Sequence, residues 1–175
     1  MRFDFQRSFG MKPLLTELPF GLAGKIFRSP APLSRYYDPQ HDLLEAYHQA
    51  GIALVVMLIP DDEAVDITGQ DLRSLYHESG FEVLHIPIDD FYIPGYGDLD
   101  APIQTVVGAA QRGQSVVIHC HAGVGRTGMF AACLAKTILG LGSEEAVNWV
   151  RQYIPSAVET PEQMGFIQSF EPPKM

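Results

Sequence analysis

The sequence predicts an α/β fold with a central, mostly parallel sheet of about four to five strands, flanked by helices on both faces. Three observations carry this reading. Short apolar runs alternate with longer stretches of helical spacing, the order that places strands side by side under two helix layers. The run Ala53 to Ile59 is continuously apolar, as in a parallel strand buried on both faces. Glycines follow the helical stretches at Gly51, Gly80 and Gly113, where helices commonly close.

Each element follows from its residues. Residues 1–24 read as an N-terminal arm, and 25–175 as a single catalytic domain. Lys25 to Arg28 is the first expected strand, and Ser29 to Pro39 is Pro-rich and reads as a loop. Asp42 to Gln49 predicts a helix with Leu43, Leu44 and Tyr47 on one face. After the strand Ala53 to Ile59, the acids of Ile59-Pro60-Asp61-Asp62-Glu63 read as pocket rim or ordinary loop. Gln70 to Ser79 predicts a helix, Glu82 to Ile86 a strand and Ala101 to Gln111 a further helix. The strand Ser115 to His119 then leads through a Gly-rich turn into a long helix from Arg126. A helix from Glu144 to Gln152, capped by Ser143, and one near Thr160 to Phe170, capped by Thr160, complete the chain.

Composition bounds the function. A chain of 175 residues, 46% apolar and without low-complexity tracts, suits one domain with its own core. The net charge of −9 argues against a broad nucleic-acid footprint and against strong attraction to anionic membranes. No stretch has the length of a membrane-spanning helix, and Met1-Arg2-Phe3-Asp4-Phe5 lacks the apolar core of a secretory signal. Two cysteines fit a reducing compartment, so a cytoplasmic, monomeric protein is expected. His41, His48, His77 and His85 have no metal-ligand spacing, and no metal or other cofactor is expected. Cys133 and Trp149 read as core residues, with a reversible Cys120–Cys133 disulfide as a lesser alternative.

The most informative segment is His119-Cys120-His121-Ala122-Gly123-Val124-Gly125-Arg126-Thr127-Gly128. It places a cysteine at a strand end, a Gly-rich loop after it and an arginine at a helix start. Successive loop N–H groups and a helix N-terminus together bind anions and favour a thiolate over a thiol. The planar fork of Arg126 can hold two phosphate oxygens at once. Thr127 can donate its hydroxyl to the sulfur. The segment therefore suits phosphoryl transfer through cysteine. His119 reads as an anchor for the loop, and His121 mainly as a backbone N–H donor.

This string resembles the active-site signature of the cysteine-dependent protein tyrosine phosphatase superfamily, His-Cys-x-x-Gly-x-x-Arg-Ser/Thr, and its compact dual-specificity members. The resemblance implies the phosphotyrosine protein phosphatase-like fold, with Cys120 as nucleophile and Arg126 as phosphate ligand. It also implies phosphate binding by His121, Ala122, Gly123, Val124, Gly125 and Thr127. His85-Ile86-Pro87-Ile88-Asp89-Asp90-Phe91-Tyr92-Ile93-Pro94 is similar to the family's acid loop. That similarity implies Asp90 as general acid, later activating water, with Asp89 as the alternative. Pro155 to Gln163 resembles the segment that brings a glutamine to the phosphate. Gln163 is implied there, against the ordinary reading of a surface residue in a capped helix. The expected function is hydrolysis of phosphotyrosine in proteins or peptides, with phosphoserine and phosphothreonine as further substrates. A phosphoinositide or RNA 5′-phosphate substrate is the alternative, as is a non-catalytic phosphate-binding module. The absence of Lys from residues 121–125 disfavours the first and the acidic charge the second; the presence of Cys, Arg and acid together disfavours the third.

Overall fold

The computed structural model describes residues 14–174. Residues 1–13 of the expected arm lie outside the described residues. Five strands form one mixed sheet: β1 (Thr16–Leu18), β2 (Ile26–Ser29), β3 (Ile52–Met57), β4 (Glu82–His85) and β5 (Ser115–His119), in the spatial order β1-β2-β5-β3-β4. All neighbours run parallel except β1, which is antiparallel to β2. The sheet therefore begins inside the segment read as an arm. A three-residue edge strand in which only Leu18 is buried has too little alternation to register as a strand in the sequence.

The helices are α1 (Leu43–Gln49), α2 (Asp61–Thr68), α3 (Leu72–Glu78), α4 (Asp100–Gln111), α5 (Gly125–Leu139), α6 (Ser143–Arg151) and α7 (Pro161–Ser169). Tyr47 of α1 and Tyr76 of α3 meet edge-on across Phe81, with ring centroids 6.0 and 6.4 Å away. α4, α6 and α7 pack round α5, which is buried from Gly125 to Ala135. Lys136 pins α7 to α5. Its ammonium donates to the carbonyls of Ile167 and Phe170 at 2.8 and 2.6 Å, satisfying acceptors that a helix end leaves open.

Two sequence expectations change. Residues 61–63 open helix α2 and are not loop: Pro60 is its N-cap and three acids fill the first turn, where the helix dipole favours negative charge. Ser143 is the first residue of α6 and not its cap. Extended Gly142 precedes it, and its N–H donates to the Glu145 carboxylate at 3.0 Å, so the acid performs the capping. The Ser143 hydroxyl is taken up by Lys136 at 3.1 Å. Thr160 does cap α7, its hydroxyl accepting from the Gln163 N–H at 3.1 Å. Trp149 is half-buried and packs between Phe20 and Tyr153, with centroids at 4.7 and 4.9 Å. Cys133 lies fully in the core, where burial pushes its thiol up.

Strand register decides where chemistry is possible. Ser29, His119, Met57 and His85 lie in one row at the carboxyl ends of β2, β5, β3 and β4. Ligands of parallel α/β sheets bind beyond such ends. The chain leaving that row supplies residues 30–42, 58–63, 86–94 and 120–126, which build the site together with residues 156–163.

Candidate active site

Cys120 leaves β5 into a loop that curls back on the sheet. Gly123 takes φ +73°, and a Cβ there would collide with the carbonyl oxygen of Ser29. Only glycine meets both demands without strain. The loop is fastened at its base, where the Ala31 N–H donates to the His121 carbonyl at 2.9 Å. His119 fastens it from beneath. Its Nδ1 lies 3.0 Å from the Cys120 carbonyl, which can only accept, so Nδ1 carries the proton. Nε2 then accepts from the Tyr76 hydroxyl at 2.8 Å. Burial lowers the His119 pKa to about 4, which keeps the ring neutral and the tautomer fixed.

Arg126 is 2% exposed, and both terminal nitrogens of its guanidinium are engaged. Nη1 and Nη2 each donate to one oxygen of Glu63 at 2.7 Å, the bidentate geometry that fixes a guanidinium plane. Nη1 also donates to the Ile88 carbonyl at 2.8 Å, and Nη2 pairs with Asp90 Oδ1 at 3.1 Å. Burial works against the charge, but the Glu63 hydrogen bonds and the charges of Cys120, Glu63 and Asp90 outweigh it and raise the Arg126 pKa.

Cys120, Arg126, His121, Ala122, Gly125 and Asp90 line one cavity of about 120 Å³, completed by Tyr37, Phe91 and Glu159. Asp89 faces elsewhere. With Tyr92, Ile93 and Pro94 it lines a separate groove of about 590 Å³ on the other side of the same loop. Both acids sit in one turn, closed by the Tyr92 N–H on the Asp89 carbonyl at 3.0 Å, with Phe91 at φ +63°. The His121 ring is met edge-on by Tyr37 at 5.2 Å and Tyr36 at 6.4 Å, and burial lowers its pKa. Thr127 is buried with its hydroxyl unpartnered inside the protein, and Gln163 is buried with Nε2 unpartnered. Gln163 Oε1 accepts from the Glu159 N–H at 2.8 Å. Val124 sits at the start of α5 as its N-cap.

Besides Tyr37, three residues at or beside this site escape the sequence reading. Glu63 was visible only as part of an acidic run; three acids after Pro60 are a helix-start signal, and i-to-i+1 counting cannot show which one turns inward. Glu159 stands beside Gln163 in the quoted segment, without a partner in sequence to mark it. Arg28 on β2 has a buried, unpartnered Nε; burial lowers its pKa while the nearby Cys120 raises it.

Comparison with known proteins names the architecture. Residues 32–139 match the family model described as Polymorphic toxin system, DSP-PTPase phosphatase. The chain belongs to this DSP-PTPase phosphatase family. The match spans the Tyr36–Tyr37 loop, Glu63, Asp90 and the whole Cys120–Arg126 loop. Among solved structures, this DSP-PTPase chain resembles Tk-PTP in its active form, at 30% identity and TM-score 0.74 over 90% of this chain and 96% of that one. It shares its fold with kinase associated phosphatase bearing serine for the catalytic cysteine, at 20% identity and TM-score 0.81 over 91% and 95% of the two chains. Among curated proteins, 89 residues are 37% identical to the uncharacterized protein MJECL20 of Methanocaldococcus jannaschii, covering 50% of this chain and 58% of that protein. A 137-residue stretch is 24% identical to protein tyrosine phosphatase domain-containing protein 1 of Danio rerio, covering 74% of this chain and 19% of that protein. The DSP-PTPase chain thus spans less than two thirds of these curated relatives. No helix among its described residues is long and apolar enough to cross a membrane.

Proposed function

We propose that the chain is a cysteine-dependent protein phosphatase acting on phosphotyrosine, with phosphoserine and phosphothreonine as further substrates. One observation supports this above the rest: Cys120, Arg126 and Asp90, from three separate segments, line one small cavity whose wall includes Tyr37 and Phe91. The aromatic rim suits an aryl ester, and the cavity volume suits a single phosphoryl group. The rim also carries Asp90 and Glu159, with Glu63 behind Arg126, an arrangement that opposes substrates bearing several phosphates.

In this reading the Cys120 thiolate attacks phosphorus in line. Arg126 and the loop N–H groups of residues 121–126 stabilise the equatorial oxygens as charge spreads onto them. The carboxyl of Asp90 gives its proton to the departing oxygen, and a cysteinyl phosphate forms. Water then frees phosphate, oriented by the Nε2 of Gln163. Thr127 donates to the sulfur when it leaves. The positive charge comes from Arg126 and from oriented N–H groups, so the step calls for no metal.

The test is hydrolysis of phosphotyrosine and phosphothreonine peptides, without metal, by the wild type and Cys120→Ser. Wild-type turnover that vanishes in the variant, while inorganic phosphate still binds it, is the expected result. A folded wild type inert on both peptides, yet active on a phosphoinositide or an RNA 5′-phosphate, overturns the protein-substrate reading. One structural neighbour, PTPMT1, forms a complex with PI(5)P, so the lipid is the first such substrate to try. A chain that binds phosphate and turns over none of these is a binding module.

A further inference from the structure

Glu159 is the second carboxylate of the cavity, and the reaction described above leaves it unused. Its placement is constrained from every side. Ser156 and Val158 have φ +63° and +64°, a conformation that a β-branched residue rarely adopts. Arg151 holds that turn, its guanidinium donating to the carbonyls of Ala157 at 3.0 Å and Val158 at 3.3 Å. Gln163 holds the Glu159 N–H. The next residue, Thr160, donates from its hydroxyl to the Phe91 carbonyl at 3.5 Å, joining this turn to the loop that carries Asp90.

The carboxylate reaches inward over the phosphate loop. A Cβ on Gly125 would collide with Glu159 Oε2, and the same point lies 3.3 Å from Gln163 Nε2. Among the described residues neither group has a partner there: the Gln163 amide is buried and unpartnered, and no hydrogen bond or ion pair reaches the Glu159 carboxylate. The acceptor and the donor therefore lie side by side against Gly125, on the wall of the cavity that Cys120 and Arg126 also line. A water entering that cavity can donate to Glu159 and accept from Gln163. Asp90 is differently occupied, on Arg126 Nη2.

We propose that Glu159, and not Asp90, takes the proton from the water that hydrolyses the cysteinyl phosphate. The inference rests on the phosphatase reading above. In this step the water oxygen bonds to phosphorus as its proton passes to the Glu159 carboxylate. The phosphorus–sulfur bond breaks, its electron pair returns to Cys120 as thiolate, and inorganic phosphate leaves. The proton then escapes to solvent, to which Glu159 is open at the mouth. Partial burial and the negative charge of Asp90 raise the Glu159 pKa, against the opposing effect of Arg126, and so strengthen it as a base. Dividing the two proton transfers lets Asp90 remain poised toward the leaving group.

Rapid mixing of an aryl phosphate with wild type, E159Q, E159D and D90N separates the steps. E159Q is expected to release one equivalent of aryl alcohol at the wild-type burst rate. Its steady-state turnover then falls by at least about 100-fold, the lower end for loss of a general base, and phosphate accumulates on Cys120 in acid-quenched protein by mass spectrometry. E159D restores part of the turnover, and D90N slows the burst itself. E159Q with wild-type turnover and no adduct overturns the assignment, as does an equal slowing of burst and steady state. A wild type that releases no aryl alcohol overturns the underlying phosphatase reading instead, so the two failures are distinguishable.

Discussion

Glu63 grips Arg126 with both carboxylate oxygens, each 2.7 Å from a guanidinium nitrogen. The pair spans 63 residues of sequence and joins the first turn of α2 to the first turn of α5. Glu63 is 20% exposed and Arg126 2%, so water screens the pair only weakly. Replacing Glu63 by Gln leaves a buried guanidinium with a poorer partner. Breaking a fully buried pair costs about 3–5 kcal/mol, and the partial exposure of Glu63 brings the expectation down to about 1–3 kcal/mol. Affinity for inorganic phosphate, measured by calorimetry, should fall about ten-fold or more in E63Q, with kcat/KM falling alongside. Unchanged phosphate affinity counts against a positioning role for Glu63.

Asp90 and Asp89 are neighbours in sequence that open onto different cavities. Asp90→Ala should slow esters with poor leaving groups far more than those with good ones, because only the former need a proton at the transition state. Asp89→Ala should leave both classes within about two-fold of wild type. A plot of rate against leaving-group pKa for the two variants decides the matter, and a steep slope for Asp89→Ala reverses the assignment.

His119 links the nucleophile's backbone to α3, and it does so as a neutral ring. An ordinary histidine in the unfolded chain takes up a proton near pH 6.5, whereas the buried ring waits until about pH 4. Between those values the unfolded state holds the extra proton, so stability declines as pH is lowered through that window. This single group contributes a slope of about 1.4 kcal/mol per pH unit. Urea unfolding of wild type and H119Q at several pH values should show a shallower dependence in the variant, which is also less stable at neutral pH. Parallel curves argue that His119 titrates normally in the native protein.

Gly123→Ala introduces both a disfavoured φ and a collision with the Ser29 carbonyl. A loss of about 1–3 kcal/mol is expected from the backbone alone. The larger effect should be on phosphate binding, because the loop N–H groups lose their convergence. Retained binding with unaltered thermal stability would show that the loop adopts another path.

Much of this architecture is legible in the residues. Val116, Val117 and Ile118 announce β5, and Gly80 closes the helix before β4, because apolar periodicity and glycine conformational freedom act locally. The Cys120 loop is legible for the same reason: its parts are contiguous. What is not legible depends on distant partners. Thr16–Leu18 becomes a strand only because β2 offers it an edge. Glu63 acquires its role from Arg126, across the fold, and in the sequence is one of three similar acids. Glu159 is aimed inward by a turn at Val158 whose positive φ runs against that residue's own preference, and is held by Arg151 and Gln163.

The row of Ser29, His119, Met57 and His85 makes the molecule unequal end to end. β3 reaches that row in step with β5 because a bulge between Ile52 and Leu54 absorbs one extra residue. Lengthening or shortening a strand by one residue would displace the following loop by about 3.3 Å and reverse its facing. The opposite ends carry no such obligation. Gly51, Gly80 and Gly113 turn there with open space round them, one or two residues before β3, β4 and β5. Insertions, tags or a fused neighbour placed at those three turns should leave the pocket untouched, making that end the natural handle by which the chain can be tethered without disturbing its chemistry.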